Sequence, residues 1–200
     1  KSSAASDVYK RQKHLNQHNV IYIDFSKMPG NCKSYMEYIT RIEERLKRDL
    51  LKVYSEIEIY PEDSLWDILE SIFIEYNGQK FIFIFDEWDC IFREYKQDKE
   101  AQEKYLDFLR DLLKDKGYIH LAYMTGILPI KKYGTHSALN MFDEFSMINP
   151  GPLASYVGFT ELEVAALCTD YHMDLDEIKA WYNGYSFEKI PSIYLSLIHI

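Results

Sequence analysis

One nine-residue stretch, FIFIFDEWD (residues 81–89), constrains the fold most. Five apolar residues run without a polar break, and then three carboxylates arrive in four positions. A run of this kind predicts a fully buried strand, because a strand covered on both faces needs no polar alternation. Such strands belong to parallel α/β sheets, whose chemistry collects at the carboxyl ends of the strands. Asp86 and Glu87 stand at that end.

The rest of the chain supplies the partners such a strand needs. NVIYIDFS (19–26) reads as a second buried strand, and YIHLAYMTG (118–126) as a third, ending at Thr125. A short fourth strand is expected near 145–147. Between them lie three amphipathic stretches. Residues 34–54 place Tyr35, Ile39, Ile42, Leu46, Leu50 and Val53 at helical spacing. Residues 64–76 carry Leu65, Ile68, Leu69, Ile72 and Phe73 behind a Ser64 or Asp63 cap, with Asn77-Gly78 as the stop. Residues 99–114 carry Tyr105, Phe108, Leu109, Leu112 and Leu113. Strands alternating with helices predict an α/β fold with a mostly parallel sheet. PGP (150–152) reads as a break, and the tail from Phe159 as an all-helical appendage. Thr160 and Glu163 form a capping-box pattern there, and Asp174 opens a further helix.

Apolar residues make up 47% of the 200, aromatics 16%, which suffices for a packed core. The net charge of −9 argues against a broad, sequence-independent nucleic-acid surface. Cys32, Cys90 and Cys168 are far apart and form no C-x-x-C, so a reduced, cytoplasmic protein is expected. No apolar run reaches the roughly 18–20 residues of a membrane span.

The two ends read as DNA rather than as protein. DVYKRQ (7–12) and LSLIHI (195–200) are translations of one short element in opposite orientations, since a DNA sequence for the first has a reverse complement that encodes the second. The element is similar to the transposon end used to tag sequencing libraries. Residues 1–12 and 195–200 are therefore expected to be adaptor artefacts, which leaves 13–157 as a partial core and 158–194 as the start of a small appended subdomain.

A buried strand ending in Asp-Glu suits nucleotide chemistry. The Asp can hold Mg²⁺ through water, and the neighbouring Glu can polarise an attacking water. The same pattern can also simply cap the next helix. Thr125 ends a neighbouring strand, where a hydroxyl could sense a phosphate or merely close a Gly turn. The phosphate cradle G-x-x-x-x-G-K-[ST] does not occur in the 200 residues; TGILPIKKYGTHS has the Gly and Lys residues in the wrong order. Other features carry blander readings. His14 and His18 lie at i,i+4 but lack a third ligand. DEIK (176–179) mimics a nuclease motif but falls in a helical pattern, Lys131 and Lys132 read as a solvated pair, and the aromatics of WYNGYSF (181–187) as core and turn.

Taken in order, NVIYIDFS, FIFIFDEWD, LAYMTGILPIKKY, LNMFDEFSM, YVGFTELEV and IKAWYNGYSF resemble the bacterial AAA-ATPase-like proteins over nearly all of 20–194. The resemblance implies a three-layer P-loop NTPase fold with strand order 5-1-4-3-2, here incomplete, with the central strand and its P-loop missing and the start of a helical lid present. It implies strands 20–25, 81–85 and 120–124 side by side, with the one near 145–147 across a gap. Asp86 then becomes the Mg²⁺-binding acid, Glu87 the catalytic carboxylate and Thr125 the sensor-like residue. The cofactors implied are ATP and Mg²⁺. The partners implied are a nucleotide, possible self-association, no membrane, and nucleic acid only through a nuclease-like C-terminal region. An ATPase whose cradle lies elsewhere, a degenerate nucleotide-dependent scaffold and the ATPase part of a nucleic-acid-processing or defence protein all stay open.

Overall fold

A computed structural model describes residues 12–130, 139–146, 148–187 and 190–194. The chain divides into two compact units, Lys1–Phe142 and Asp143–Ile200.

In the first unit three parallel strands lie side by side, β1 (Asn19–Asp24), β2 (Phe81–Asp86) and β3 (Ile119–Met124), in the order β1-β2-β3. These are the three strands expected, and the arrangement is compatible with a P-loop-like α/β fold. The connections are α1 (Tyr35–Val53) and α2 (Leu65–Glu75) between β1 and β2, then α3 (Cys90–Glu94) and α4 (Lys99–Leu113) between β2 and β3. The helix starts follow from their caps. Ser34 accepts from the Glu37 amide, and Ser64 forms a full capping box with Asp67. Asn77 and Gly78 both take positive φ, so the chain turns out of α2 where the sequence calls for a stop.

The core lies on one face of the sheet. Ile21 and Ile23 of β1 lie opposite Phe83 and Phe85 of β2, and with Phe81 and with Phe25 just past β1 all are buried. Tyr35 of α1, Leu69 of α2 and Tyr105 and Leu109 of α4 belong to the same cluster, with Tyr105 packed edge-on to Phe25 at 5.2 Å. The expectation of a strand buried on both faces is corrected here. Ile82 and Ile84 are only half-buried, and on the same side Val20, Tyr22, Leu121 and Tyr123 are each half exposed or more. Both faces of β2 are apolar, so its period of two is invisible in composition and shows only as Phe inward, Ile outward. Val53, assigned to the buried stripe of α1, is exposed because the helix ends there.

Residues Phe145 and Ser146 form no strand. Ser146 and Asn149 instead close a turn, the Ser146 amide donating to the Asn149 carbonyl and the Asn149 amide to Ser146 Oγ. Met147, the end of the expected strand, lies outside the described residues, as do Lys131 and Lys132 and most of both adaptor-like ends.

The second unit departs from the all-helical expectation. Its helices, α5 (Glu161–Tyr171) and α6 (Leu175–Tyr182), begin at the Thr160–Glu163 capping box and at Asp174 as read from the sequence. They accompany a 3₁₀ turn (Gly151–Tyr156) and an antiparallel sheet of β4 (Phe159–Thr160), β5 (Asn183–Phe187) and β6 (Ile190–Tyr194), ordered β4-β6-β5. Helix α6 ends at Tyr182, and Asn183-Gly184 opens β5 in its place. Pro191 is tolerated in the middle strand because the register shifts around it. Trp181, read as core, is exposed. The DEIK segment is helical, and its Lys179 pairs with Glu161 at 2.6 Å.

All three cysteines are free and buried. Burial, and then the neighbouring Glu94 carboxylate, push the Cys90 thiol up to about 11. The thiolate is the reactive form, so at pH 8 Ellman's reagent is expected to label Cys90 only after denaturation. Rapid labelling of Cys90 in the folded chain would contradict this packing.

Candidate functional site

The carboxyl ends of the three strands gather the polar side chains that the sequence singles out. Asp86 closes β2, and Thr125 follows directly on β3. The Thr125 hydroxyl donates to Asp86 Oδ1. Tyr22 of β1 reaches the other oxygen, donating to Oδ2 at 3.3 Å. Asp24 lies opposite Asp86 in the register of β1 and β2. It accepts from the Ser26 amide and hydroxyl and pairs with Lys27 at 2.9 Å. Burial opposes the ionisation of Asp24, but the Ser26 and Lys27 hydrogen bonds outweigh it and hold the carboxyl below its ordinary value. Desolvation, and then the adjacent Asp86 charge, push the Tyr22 phenol up.

Glu87 leaves the strand with φ of +54°, a left-handed backbone that costs a bulky residue on the order of 1 kcal/mol. Its carboxylate pairs with Arg93 of α3. Trp88 is buried. Its amide donates to the Thr125 carbonyl at 3.0 Å, and its own carbonyl accepts from Tyr105 at 2.8 Å. Asp89 is fully buried, and its Oδ2 accepts from the Ile127 amide at 3.2 Å, the Leu128 amide at 2.9 Å and Arg93 Nε at 3.1 Å. Burial opposes the Arg93 charge, but Asp89 and Glu87 outweigh it and raise the guanidinium further.

The DEWD turn and the TGIL turn are thus stitched together by backbone and side chain. Gly126 makes the approach possible. A Cβ there would lie 2.6 Å from Asp89 Oδ1 and 2.6 Å from Trp88 Cδ1, closer than any side chain tolerates.

The structure therefore brings Asp86 and Thr125 into direct contact and sets Glu87 beside them in the chain, held by Arg93. Sequence reasoning missed Tyr22, Asp24, Arg93 and the clamp role of Asp89. The signal for the last two was present, since Asp89 and Arg93 are an acid and a base one helical turn apart behind a Trp. His14 and His18 lie 3.1 Å apart, nitrogen to nitrogen, and His120 stacks on His18 with ring centroids 5.4 Å apart. Stacked rings do not converge on a metal, and among the described residues no cluster of three metal-ligating side chains forms.

The donor set at the strand ends is all oxygen, which suits a hard divalent cation. With Asp24 engaged by Ser26 and Lys27 and Glu87 by Arg93, the Asp86 carboxylate with hydroxyls around it fits Mg²⁺, which keeps waters and phosphate oxygens as its other ligands rather than a closed protein cage. No helix among the described residues is long and apolar enough to cross a membrane.

Comparison with known proteins bears on the family. A family model described as "Predicted AAA-ATPase" matches residues 2–135, more than half of the chain. A curated relative from Azotobacter chroococcum mcd 1, an "Uncharacterized protein in vnfD 5'region", is 29% identical over 117 residues. That alignment covers 56% of this chain and 22% of the relative, so the chain spans about a fifth of that relative's length. No solved structure matches. The three-stranded parallel sheet, its acidic carboxyl end and the breadth of the family match lead to one assignment: the chain belongs to the predicted AAA-ATPase family.

Proposed function

We propose that this chain carries the acidic half of an ATP-hydrolysing site. Asp86 is the metal-binding acid, Glu87 the carboxylate that takes a proton from the attacking water, and Thr125 the residue that responds to the terminal phosphate. One observation carries the reading: Thr125 is hydrogen-bonded to Asp86 across the carboxyl ends of two neighbouring parallel strands, with Glu87 next in the chain. A purely structural acid at a strand end would cap the following helix. Asp86 accepts instead from two hydroxyls on two different strands. Family membership supports a nucleotide as the ligand, and ATP with Mg²⁺ as its form.

When bound, Mg²⁺ would offset charge on the phosphates. Asp86 would hold it through water. The hydroxyls of Thr125 and Tyr22 keep the Asp86 carboxylate oriented along the strand end. Glu87, turned out of the strand by its left-handed backbone, is partly exposed and can meet a water. The phosphate cradle belongs to a segment outside the 200 residues on this reading, and residues 158–194 begin the lid.

The test is Mg²⁺-dependent ATP hydrolysis by the full-length protein. Asp86→Asn is expected to lower it about a hundredfold or more, the loss of several kcal/mol of metal-borne charge stabilisation. Turnover by that variant at the unmutated rate would remove Asp86 from the site.

A further inference from the structure

Among the described residues, Arg93 is the guanidinium that engages two acids of the DEWD turn at once. Its Nη2 donates to Glu87 Oε2, and its Nε donates to Asp89 Oδ2 at 3.1 Å. The two contacts differ in kind. Asp89 is fully buried and is itself held by the Ile127 and Leu128 amides, so it fixes one edge of the guanidinium. Glu87 is partly exposed, with 36% of its side chain accessible, so an ion pair there adds little stability. A merely structural arginine needs only the first contact. The second leaves stability almost unchanged and instead fixes where a carboxylate points. A planar fork anchored on one side does this well, whereas a lysine would be a mobile point charge.

We propose that Arg93 is the positioning residue for the Glu87 carboxylate, holding it in one orientation through a guanidinium that Asp89 anchors. This rests on the reading of Glu87 as the water-polarising acid. It also links Glu87 to Thr125, because Asp89 grips the two amides that follow Gly126. The backbone of the sensor-like turn and the side chain of the acid thereby share one buried anchor. A shift of the TGIL turn moves Asp89, and with it Arg93 and Glu87.

The experiment uses the full-length protein with Arg93→Met, Arg93→Lys and Arg93→Ala. Arg93→Met is expected to lower kcat about ten- to a hundredfold with KM little changed, because the water-polarising group loses its aim and substrate binding does not. Arg93→Lys recovers part of kcat, and added guanidinium ion at a non-denaturing concentration raises the rate of Arg93→Ala, which loss of packing alone would not allow. An unchanged kcat in a folded Arg93→Met overturns the proposal. A raised basal rate overturns it too, since Arg93 would then restrain Glu87 rather than aim it. The Arg93 side-chain nitrogen spectrum separates this from the ATPase reading. Hindered Nη rotation in the unmutated protein, released in Glu87→Ala, is expected even where Arg93→Met fails to fold or no hydrolysis is found. A spectrum indifferent to Glu87→Ala overturns the pairing, whereas absent hydrolysis with the pairing intact sinks only the ATPase reading.

Discussion

Asp89→Ala is expected to lower stability by about 3 kcal/mol and to bring the melting temperature down by roughly 10 °C. Asp89 is fully buried, and one of its oxygens accepts from the Ile127 amide, the Leu128 amide and Arg93. Alanine leaves two backbone donors without their acceptor beneath the DEWD turn. Arg93 is a quarter exposed, so water takes up part of its charge, which places the cost at the lower end of the range for breaking a buried pair. Asp89→Asn keeps an acceptor for the amides and loses the charge, so its cost is expected to be about half as large. Scanning calorimetry on the three forms checks the order. An alanine variant melting with the unmutated protein would show that the two turns are joined by their backbone bonds alone.

Glu87→Gln is expected to lower ATP turnover in the full-length protein about 10²- to 10⁴-fold while leaving nucleotide affinity within a few-fold. Glutamine keeps the shape of the side chain and an oxygen for Arg93, but it cannot take a proton from water. The ion pair lost is partly exposed on both sides and Arg93 keeps its contact with Asp89, so stability should change by only about 1 kcal/mol. This combination separates chemistry from folding. Single-turnover hydrolysis and equilibrium binding of a fluorescent ATP analogue measure the two halves. Turnover that survives undiminished would take Glu87 out of the mechanism. Loss of both binding and turnover would point to a structural role instead.

Much of this was legible in the residues, and the reasons are particular. The three parallel strands were readable because each is a short, β-branched or aromatic run bounded by polar residues, with a capped amphipathic helix between. Asp86, Glu87 and Thr125 were readable because each stands at or just beyond a strand end, where the pattern changes abruptly. What sequence could not reveal was pairing across distance. Tyr22 meets Asp86 across 64 positions, and Asp89 meets Leu128 across 39. Only the register of adjacent strands sets those contacts. Tyr22 reads locally as one more aromatic in a strand. The Phe81–Asp86 strand read as buried on both sides because Ile and Phe are equally apolar, and the difference lies in what covers each face. In the second unit the helix caps were legible and the sheet was not. Its strands carry Gly184 and Pro191, residues that weaken a strand reading and here sit at register shifts.

The most direct test of the ATP reading is the DNA sequence of the native locus upstream of residue 13. On that reading a G-x-x-x-x-G-K-[ST]-like cradle is expected about 40–60 residues before this segment, the spacing that one strand, one helix and their loops require. An intact upstream region without a Gly-Lys cradle would contradict it, and would leave Asp86, Glu87 and Thr125 as the polar edge of a structural sheet.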